Sequence, residues 1–379
     1  MLGAARRCGR SPHAFPLRVD AAPRGGRCAY GLAKPAPWPL FDKWETDFVI
    51  ACVLAGLPSC AGKRDLPNPI SDLVRIFFVI MNLLNSKLPR RSLLAMLPAL
   101  LTACSALDVL NATVPSDTYR SAVDVAYGSQ PRQKLDIYFP NQPLADKALA
   151  AGGAPLVVFF YGGSWSSGNR VDYRFVGEAL ASQGIVVVVA DYRLSPEVRY
   201  PVFVQDSALA VRWAFDNAEK YGANPARIFV MGHSAGAYNA AMLALDKRWL
   251  GAVGLSPAKL AGWIGLAGPY DFLPIGDRKT QIAFEWPNTP PDSQALFHAS
   301  SATATSPPAL LLAPENDNLV NTQRSTVGMA NRLKSSGVRV ESELFDTVSH
   351  ITIVATLASV LRGRAPVLER VTGFVKRIS

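Results

Sequence analysis

From about residue 120 to the end of the chain, apolar runs alternate with amphipathic stretches. The runs PLVVFFYGG (155–163), IVVVVADY (185–192), RIFVMG (227–232), GWIGLAG (262–268) and PALLLAP (308–314) are near-continuous in large apolar residues, and VRVESELF (338–345) follows them. Strands of this kind are covered on both faces, as in a parallel sheet. Ahead of them, DVAYG and KLDIYF read as short antiparallel strands. The stretches 171–182, 203–221, 236–246, 321–336 and 364–377 read as helices. Strand–helix alternation predicts an α/β domain over 120–379, with a mostly parallel central sheet flanked by helices. Only about 39 residues separate the run at 262–268 from that at 308–314, so any cap over the sheet is small.

Composition divides the chain at position 104. All five cysteines (Cys8, Cys28, Cys52, Cys60 and Cys104) lie in the first 104 residues, so the body has no internal disulfide and no thiolate metal site. The net charge of +10 is just as uneven: residues 1–103 carry 14 Lys and Arg against 6 Asp and Glu, the remainder 25 against 23. The body therefore has no basic excess that would suit nucleic acid.

Within the front segment, MNLLNSKLPRRSLLAMLPALLTAC (81–104) has a basic start, a short apolar run and a small-residue ending. That is the layout of an export signal, too short to span a bilayer. The ending Leu101-Thr102-Ala103-Cys104 resembles a bacterial lipoprotein signal. The resemblance implies cleavage after residue 103, lipidation of Cys104 and a tether over 104–119. Residues 1–80 play no part in a signal that starts at Met81 and are expected to be an upstream extension from a mis-assigned start, or disordered. Ser105 is not the aspartate that holds many lipoproteins in the inner membrane, so the expected site is the periplasmic face of the outer membrane.

The chemistry-bearing residues lie in the body. Gly232-His233-Ser234-Ala235-Gly236 follows a buried strand and opens an Ala-rich helical stretch, the context in which G-x-S-x-G forms a sharp nucleophile turn. A serine hydroxyl needs a base. Of His233, His298 and His350, the first is expected to pack beside the turn. His298 sits in a polar stretch, exposed or capping. His350 follows the last strand and is the expected base. The acid belongs between serine and histidine in chain order: Asp317, just past the strand 308–314, is favoured, with Glu315 and Asp271 as competitors. Phe160-Tyr161-Gly162-Gly163-Ser164-Trp165 leaves the strand 155–160. There glycines let backbone N–H groups approach a developing oxyanion, together with the amide of Ala235.

Together YGGSW, ADYRLSPE (190–197), GHSAG and DNLV before a late histidine resemble the α/β-hydrolase fold. More narrowly they resemble its carboxylesterase group, related to hormone-sensitive lipase and the feruloyl-esterase-like hydrolases. The resemblance implies a serine hydrolase acting on small-molecule carboxylic esters through Ser234, His350 and Asp317, with donors from Gly163, Ser164 and Ala235. It implies no metal or organic cofactor. Tyr161 stands where the group usually has histidine and Ser164 where it has a third glycine; neither change removes a backbone N–H. Tyr161 and Trp165 are expected to line the substrate pocket. The competing readings are an arylformamidase-like amide hydrolase and a non-catalytic binding protein on the same fold. The expected partners are the substrate and, through Cys104, a lipid bilayer. Oligomeric state is not legible.

Overall fold

The computed structural model describes residues 105–141 and 144–378. The expectations for 1–103 and for Cys104 lie outside the described residues. Eight strands form one sheet in the order β1-β2-β4-β3-β5-β6-β7-β8. They are β1 (Tyr119–Ala126), β2 (Lys134–Pro140), β3 (Ala154–Phe160), β4 (Val186–Ala190), β5 (Ala223–His233), β6 (Gly262–Leu266), β7 (Ala309–Pro314) and β8 (Val340–Phe345). The pairs β1–β2 and β2–β4 are antiparallel and the others parallel. Every residue of β3, β4, β6 and β7 is buried, which accounts for their unbroken apolar sequences. The edge strands β1 and β8 are half-exposed and mixed in sequence. The strand expected at DVAYG begins earlier, at Tyr119. It carries a bulge between Ala122 and Val125, where Asp124 takes φ 61° and its amide donates to Asp136.

The flanking helices fall near their expected places. They include α2 (Arg174–Ala181), α3 (Val202–Asn217), α4 (Ala235–Leu245), α5 (Gly328–Ser335) and α6 (Val367–Ile378). The stretch expected as one helix over 321–336 opens with a π-helical turn, Gln323–Val327, before α5 begins. Between β6 and β7 lie two short helices (Arg278–Ala283, Ala295–Ala299) and a 3-10 turn, a small cap as expected.

The segment expected to be a tether is partly folded. Ser105 caps helix α1 (Ala106–Ala112) through a capping box with Asp108. Leu110 of this helix is buried, and the Asn111 side chain donates to the Val171 carbonyl and accepts from the Phe175 amide. Leu107 and Leu110 give the segment an apolar face, so it packs on the body instead of trailing from it. No helix among the described residues is long and apolar enough to cross a membrane.

Chain order reverses between β3 and β5. The chain leaves β3 toward β4 on one side, and returns through α3 to β5 on the other. Two loops therefore part at the C-terminal ends of β3 and β5 and leave a crevice, the usual place for a site in an open α/β sheet.

Candidate active site

Ser234 stands at that crevice, between the end of β5 and the first residue of α4, with φ 54° and ψ −123°. This strained backbone holds the hydroxyl above the sheet. Both glycines of the motif are required by contact. A Cβ on Gly232 would lie 2.1 Å from the Gly236 carbonyl carbon, and one on Gly236 would lie 2.0 Å from the Phe160 carbonyl oxygen. Only residues without side chains let the turn close against β3.

The Ser234 hydroxyl is 2.8 Å from Nε2 of His350, and Nδ1 of His350 is 2.7 Å from Oδ2 of Asp317. Serine donating to Nε2 leaves the ring hydrogen on Nδ1, where it donates to the carboxylate. Asp317 is pinned in turn, because its Oδ1 accepts from the amides of Leu319 and Val320 at 2.8 and 3.0 Å. Burial pushes this carboxyl's pKa up, but the hydrogen bond and charge of His350, with the two amides, outweigh burial and bring it below the usual value. The anionic form that imidazole requires is thus the stable one.

Neither competing carboxylate bonds to His350. Asp271 forms a two-pronged pair with Arg324, at 2.7 and 2.8 Å. Glu315 is exposed. His298 is not exposed: its side chain is 12% exposed, and it lies 2.7 Å from the Asp292 carbonyl in the 3-10 turn Pro291–Ser293 and 3.5 Å from Asp246. His233 is buried beside the turn as expected.

The loop 161–168 faces the serine. Ser164 and Trp165 have φ 51° and 54°, and Gly163 has φ 124°. A Cβ on Gly163 would lie 2.3 Å from the Ser167 carbonyl oxygen, so the loop folds back tightly on itself. Among the described residues the amides of Gly163, Ser164 and Ala235 donate to no protein acceptor. Ala235 is also the first residue of α4, where N–H groups have no intrahelical partner. A cavity of about 440 Å³ adjoins these groups, lined by Ser164, Trp165, Ser234, Phe272, Arg324 and His350 among others.

Trp165 is part of that wall; its indole N–H is held by Asn239 at 3.1 Å and its ring packs edge-on against Phe284 and Tyr238. Tyr161 is not part of it, which corrects the sequence expectation. Its side chain is fully buried below the loop, donates to Asp191 Oδ1 at 2.7 Å and accepts from Arg132 at 2.8 Å. Burial, with Tyr192 and Asp191 adding, pushes the phenol's pKa well above its ordinary value, so it remains a donor.

This arrangement explains residues that sequence reasoning left without a role. Asp191 also accepts from the Arg170 backbone and guanidinium, at 2.8 and 2.6 Å. Arg132 donates to the Gly168 carbonyl at 2.7 Å, closing the far end of the loop. Next to it, Asp206 accepts from the Arg193 amide and guanidinium and from Gln133. Within ADYRLSPE, Asp191 thus supplies the carboxylate of the ion pairs that support the loop. The signal available was a pair of charged residues, Asp191 and Arg193, directly after an all-apolar strand. Among the described residues, no cluster of His, Cys, Asp and Glu is arranged to hold a metal.

The mostly parallel sheet, the serine turn at the end of β5 and the histidine after β8 define an α/β-hydrolase fold. Solved structures agree on the fold. The esterase B of Lactobacillus rhamnosis has a TM-score of 0.60 at 18% identity, over 75% of this chain and 96% of that one. An esterase of Pyrobaculum calidifontis has a TM-score of 0.57 at 22% identity, over 72% and 90%. More narrowly, the chain belongs to the BD-FAE family, whose model matches residues 135–333. A probable isoprenylcysteine alpha-carbonyl methylesterase from Oryza sativa subsp. japonica is 28% identical over 63% of this chain and 59% of its own length. The carboxylesterase NlhH of Mycobacterium tuberculosis is 44% identical over 26% and 31%, and the kynurenine formamidase of Danio rerio 27% over 63% and 77%. The chain spans between about a third and three fifths of the length of the first curated relatives.

Proposed function

We propose that the protein is a serine hydrolase of carboxylic esters with small or medium acyl groups. The observation that carries the reading is the hydrogen-bonded chain from Ser234 through His350 to Asp317, closed at 2.8 and 2.7 Å beside an open cavity. In this reading Ser234 Oγ attacks the ester carbonyl while its proton passes to His350 Nε2. The carbonyl oxygen gathers negative charge within reach of the amides of Gly163, Ser164 and Ala235. As the C–O bond to the alcohol breaks, His350 returns the proton to the leaving oxygen. Water then repeats the sequence on the acyl-enzyme, with His350 again as base. Asp317 holds the ring and stabilises the transient imidazolium. The chemistry needs no metal.

A fluorophosphonate probe tests this directly. Covalent labelling of the wild type, abolished in Ser234→Ala, supports the hydrolase. A folded wild type that takes no label supports the non-catalytic binder on the same fold. A second substrate class is favoured by the likeness to the zebrafish kynurenine formamidase, most of whose length this chain matches. Parallel kcat/KM values for an aryl ester and an N-formyl arylamine separate the two, and the ester is expected to be the better substrate.

From the sequence we further propose that Cys104 is lipidated and holds the protein at the periplasmic face of a bacterial outer membrane. The support is the basic start, apolar run and LTAC ending of residues 81–104. Radiolabelled palmitate should enter the wild type and not Cys104→Ala, and globomycin should block processing. An unlabelled wild type removes the anchor.

A further inference from the structure

Two histidines stand side by side at the site, although hydrolysis calls on one. His233 is 5% exposed, and its ring centroid lies 5.2 Å from that of His350. Its Nε2 is 2.7 Å from the backbone carbonyl oxygen of His350. A carbonyl only accepts, so Nε2 carries the hydrogen and the ring donates. Burial, with His350 adding, pushes the pKa of His233 down to about 3, so the ring is neutral and Nδ1 is bare. That Nδ1 has no hydrogen-bond partner and faces Gly162, where a Cβ would stand 3.0 Å away. The ring therefore touches the loop 161–168 on one side and the backbone of His350 on the other.

The two histidines differ in how firmly the fold holds them. His233 ends β5, in the middle of the sheet, and pairs with Leu266 of β6. His350 comes from a loop after β8, an edge strand, and its neighbour Ile351 is 44% exposed. Loops of this kind have more freedom than the sheet centre.

We propose that His233 is a positioning residue: by donating from Nε2 to the His350 carbonyl, it fixes the backbone from which the His350 ring reaches both Ser234 and Asp317. A displacement of about 1 Å at such a group costs on the order of 10²-fold in rate, so one hydrogen bond to its backbone has leverage on turnover. This rests on the hydrolase reading only where turnover is the readout. The geometry of the His350–Asp317 bond can be read without turnover.

Three variants test it. In His233→Gln the side-chain amide reaches about where Nε2 lies and can donate. In His233→Asn the same amide is one carbon short, and in His233→Leu it is absent. The readouts are kcat and KM on p-nitrophenyl acetate, and the low-field proton resonance of the hydrogen shared by His350 Nδ1 and Asp317. His233→Asn and His233→Leu should lower kcat by about 10- to 100-fold with KM within about threefold, and weaken the resonance, while His233→Gln stays within about threefold of wild type. Should His233→Leu fail to fold, the Gln and Asn pair decides. The proposal is overturned if folded His233→Asn keeps the wild-type kcat and resonance, or if His233→Gln falls as far as His233→Asn. Failure of the hydrolase reading shows separately, as a folded wild type that takes no fluorophosphonate label or as labelling unchanged in Ser234→Ala. The resonance comparison then still decides whether His233 positions His350.

Discussion

The phenol of Tyr161 donates to the carboxylate of Asp191 at 2.7 Å, where both side chains are cut off from solvent. Tyr161 is the first residue after β3, and Asp191 the first after β4. Two adjacent parallel strands are therefore tied together where the loop 161–168 begins. Tyr192 adds a second tie, its hydroxyl donating to the Tyr161 carbonyl at 2.8 Å and its ring stacked on that of Tyr161 at 4.9 Å. The loop, which brings Ser164 and Trp165 to the cavity, thus rests on a base of packed rings and paired charges.

Tyr161→Phe should separate support of the loop from direct contact with substrate. The ring packing survives, and Asp191 keeps both bonds from Arg170. The hydrogen bond to the Asp191 carboxylate and the one from Arg132 are both lost, and the first alone corresponds to about 1.5–3 kcal/mol of stability. Urea unfolding should show that loss, and kcat should fall by less than about tenfold while Ser234 still takes a fluorophosphonate label. Unchanged stability in Tyr161→Phe would mean the tie contributes nothing.

The strands were legible because burial on both faces leaves a continuous apolar record, as in APLVVFF of β3. The serine turn was legible because its glycines answer to contacts only 2.0 and 2.1 Å away, which no other residue tolerates. Tyr161 was misplaced for a physical reason as well. Position 161 in the motif says that a side chain is near the loop, not on which side, and a phenol suits a pocket wall as well as a buried strut. Which side it takes depends on Asp191, Arg132 and Arg170, contributed from 30, 29 and 9 residues away in the chain. Helix α1 leaves little trace in the sequence, because its apolar face is two leucines wide, too short to show a period.

Assignment of base and acid predicts an asymmetry among paired substitutions. His350→Ala should lower kcat by several orders of magnitude, up to about 10⁶ as for the loss of a triad base. His298→Ala should stay within about tenfold of wild type, since its contacts are to Asp292 and Asp246 and it does not line the cavity. Asp317→Asn should be slowed by about 10⁴, because an amide cannot hold the ring in the same tautomer. Asp271→Asn should mainly change KM, as it loosens Arg324 at the cavity wall. A dead His298→Ala with an active His350→Ala would overturn the assignment.

His233 also makes stability depend on pH in a defined direction. Its folded pKa, about 3, lies below the ordinary 6.5, so between these values the unfolded chain binds a proton that the folded chain refuses. Stability is then full above about pH 6.5 and declines as pH falls, by up to about 1.4 kcal/mol per unit within the window. Thermal unfolding at pH 7, 6 and 5 should show a steeper decline in the wild type than in His233→Gln, which has nothing to protonate there. Parallel declines would show that another group sets the acid limb.

The Ser105 amide and hydroxyl both face Asp108, at 2.9 and 3.0 Å, so a chain begun at Ser105 would place a free ammonium against a carboxylate and keep its cap. Such a chain should be soluble and fully active, because every candidate catalytic group lies beyond residue 160. A chain begun at Pro115 loses more than a tether. It uncovers the surface under Leu110 and leaves the Phe175 amide and Val171 carbonyl without Asn111. Burial of one leucine is worth about 1.5–3 kcal/mol and each of two hydrogen bonds about 1 kcal/mol, so the loss should be about 3–5 kcal/mol. For a domain of this size each kcal/mol moves Tm by about 2–4 °C, which puts the Pro115-start chain roughly 6–20 °C below the Ser105-start chain. Asn111→Ala in the Ser105-start chain should recover part of that shift. Equal Tm values for the two chains would mean that α1 rests on the body without stabilising it.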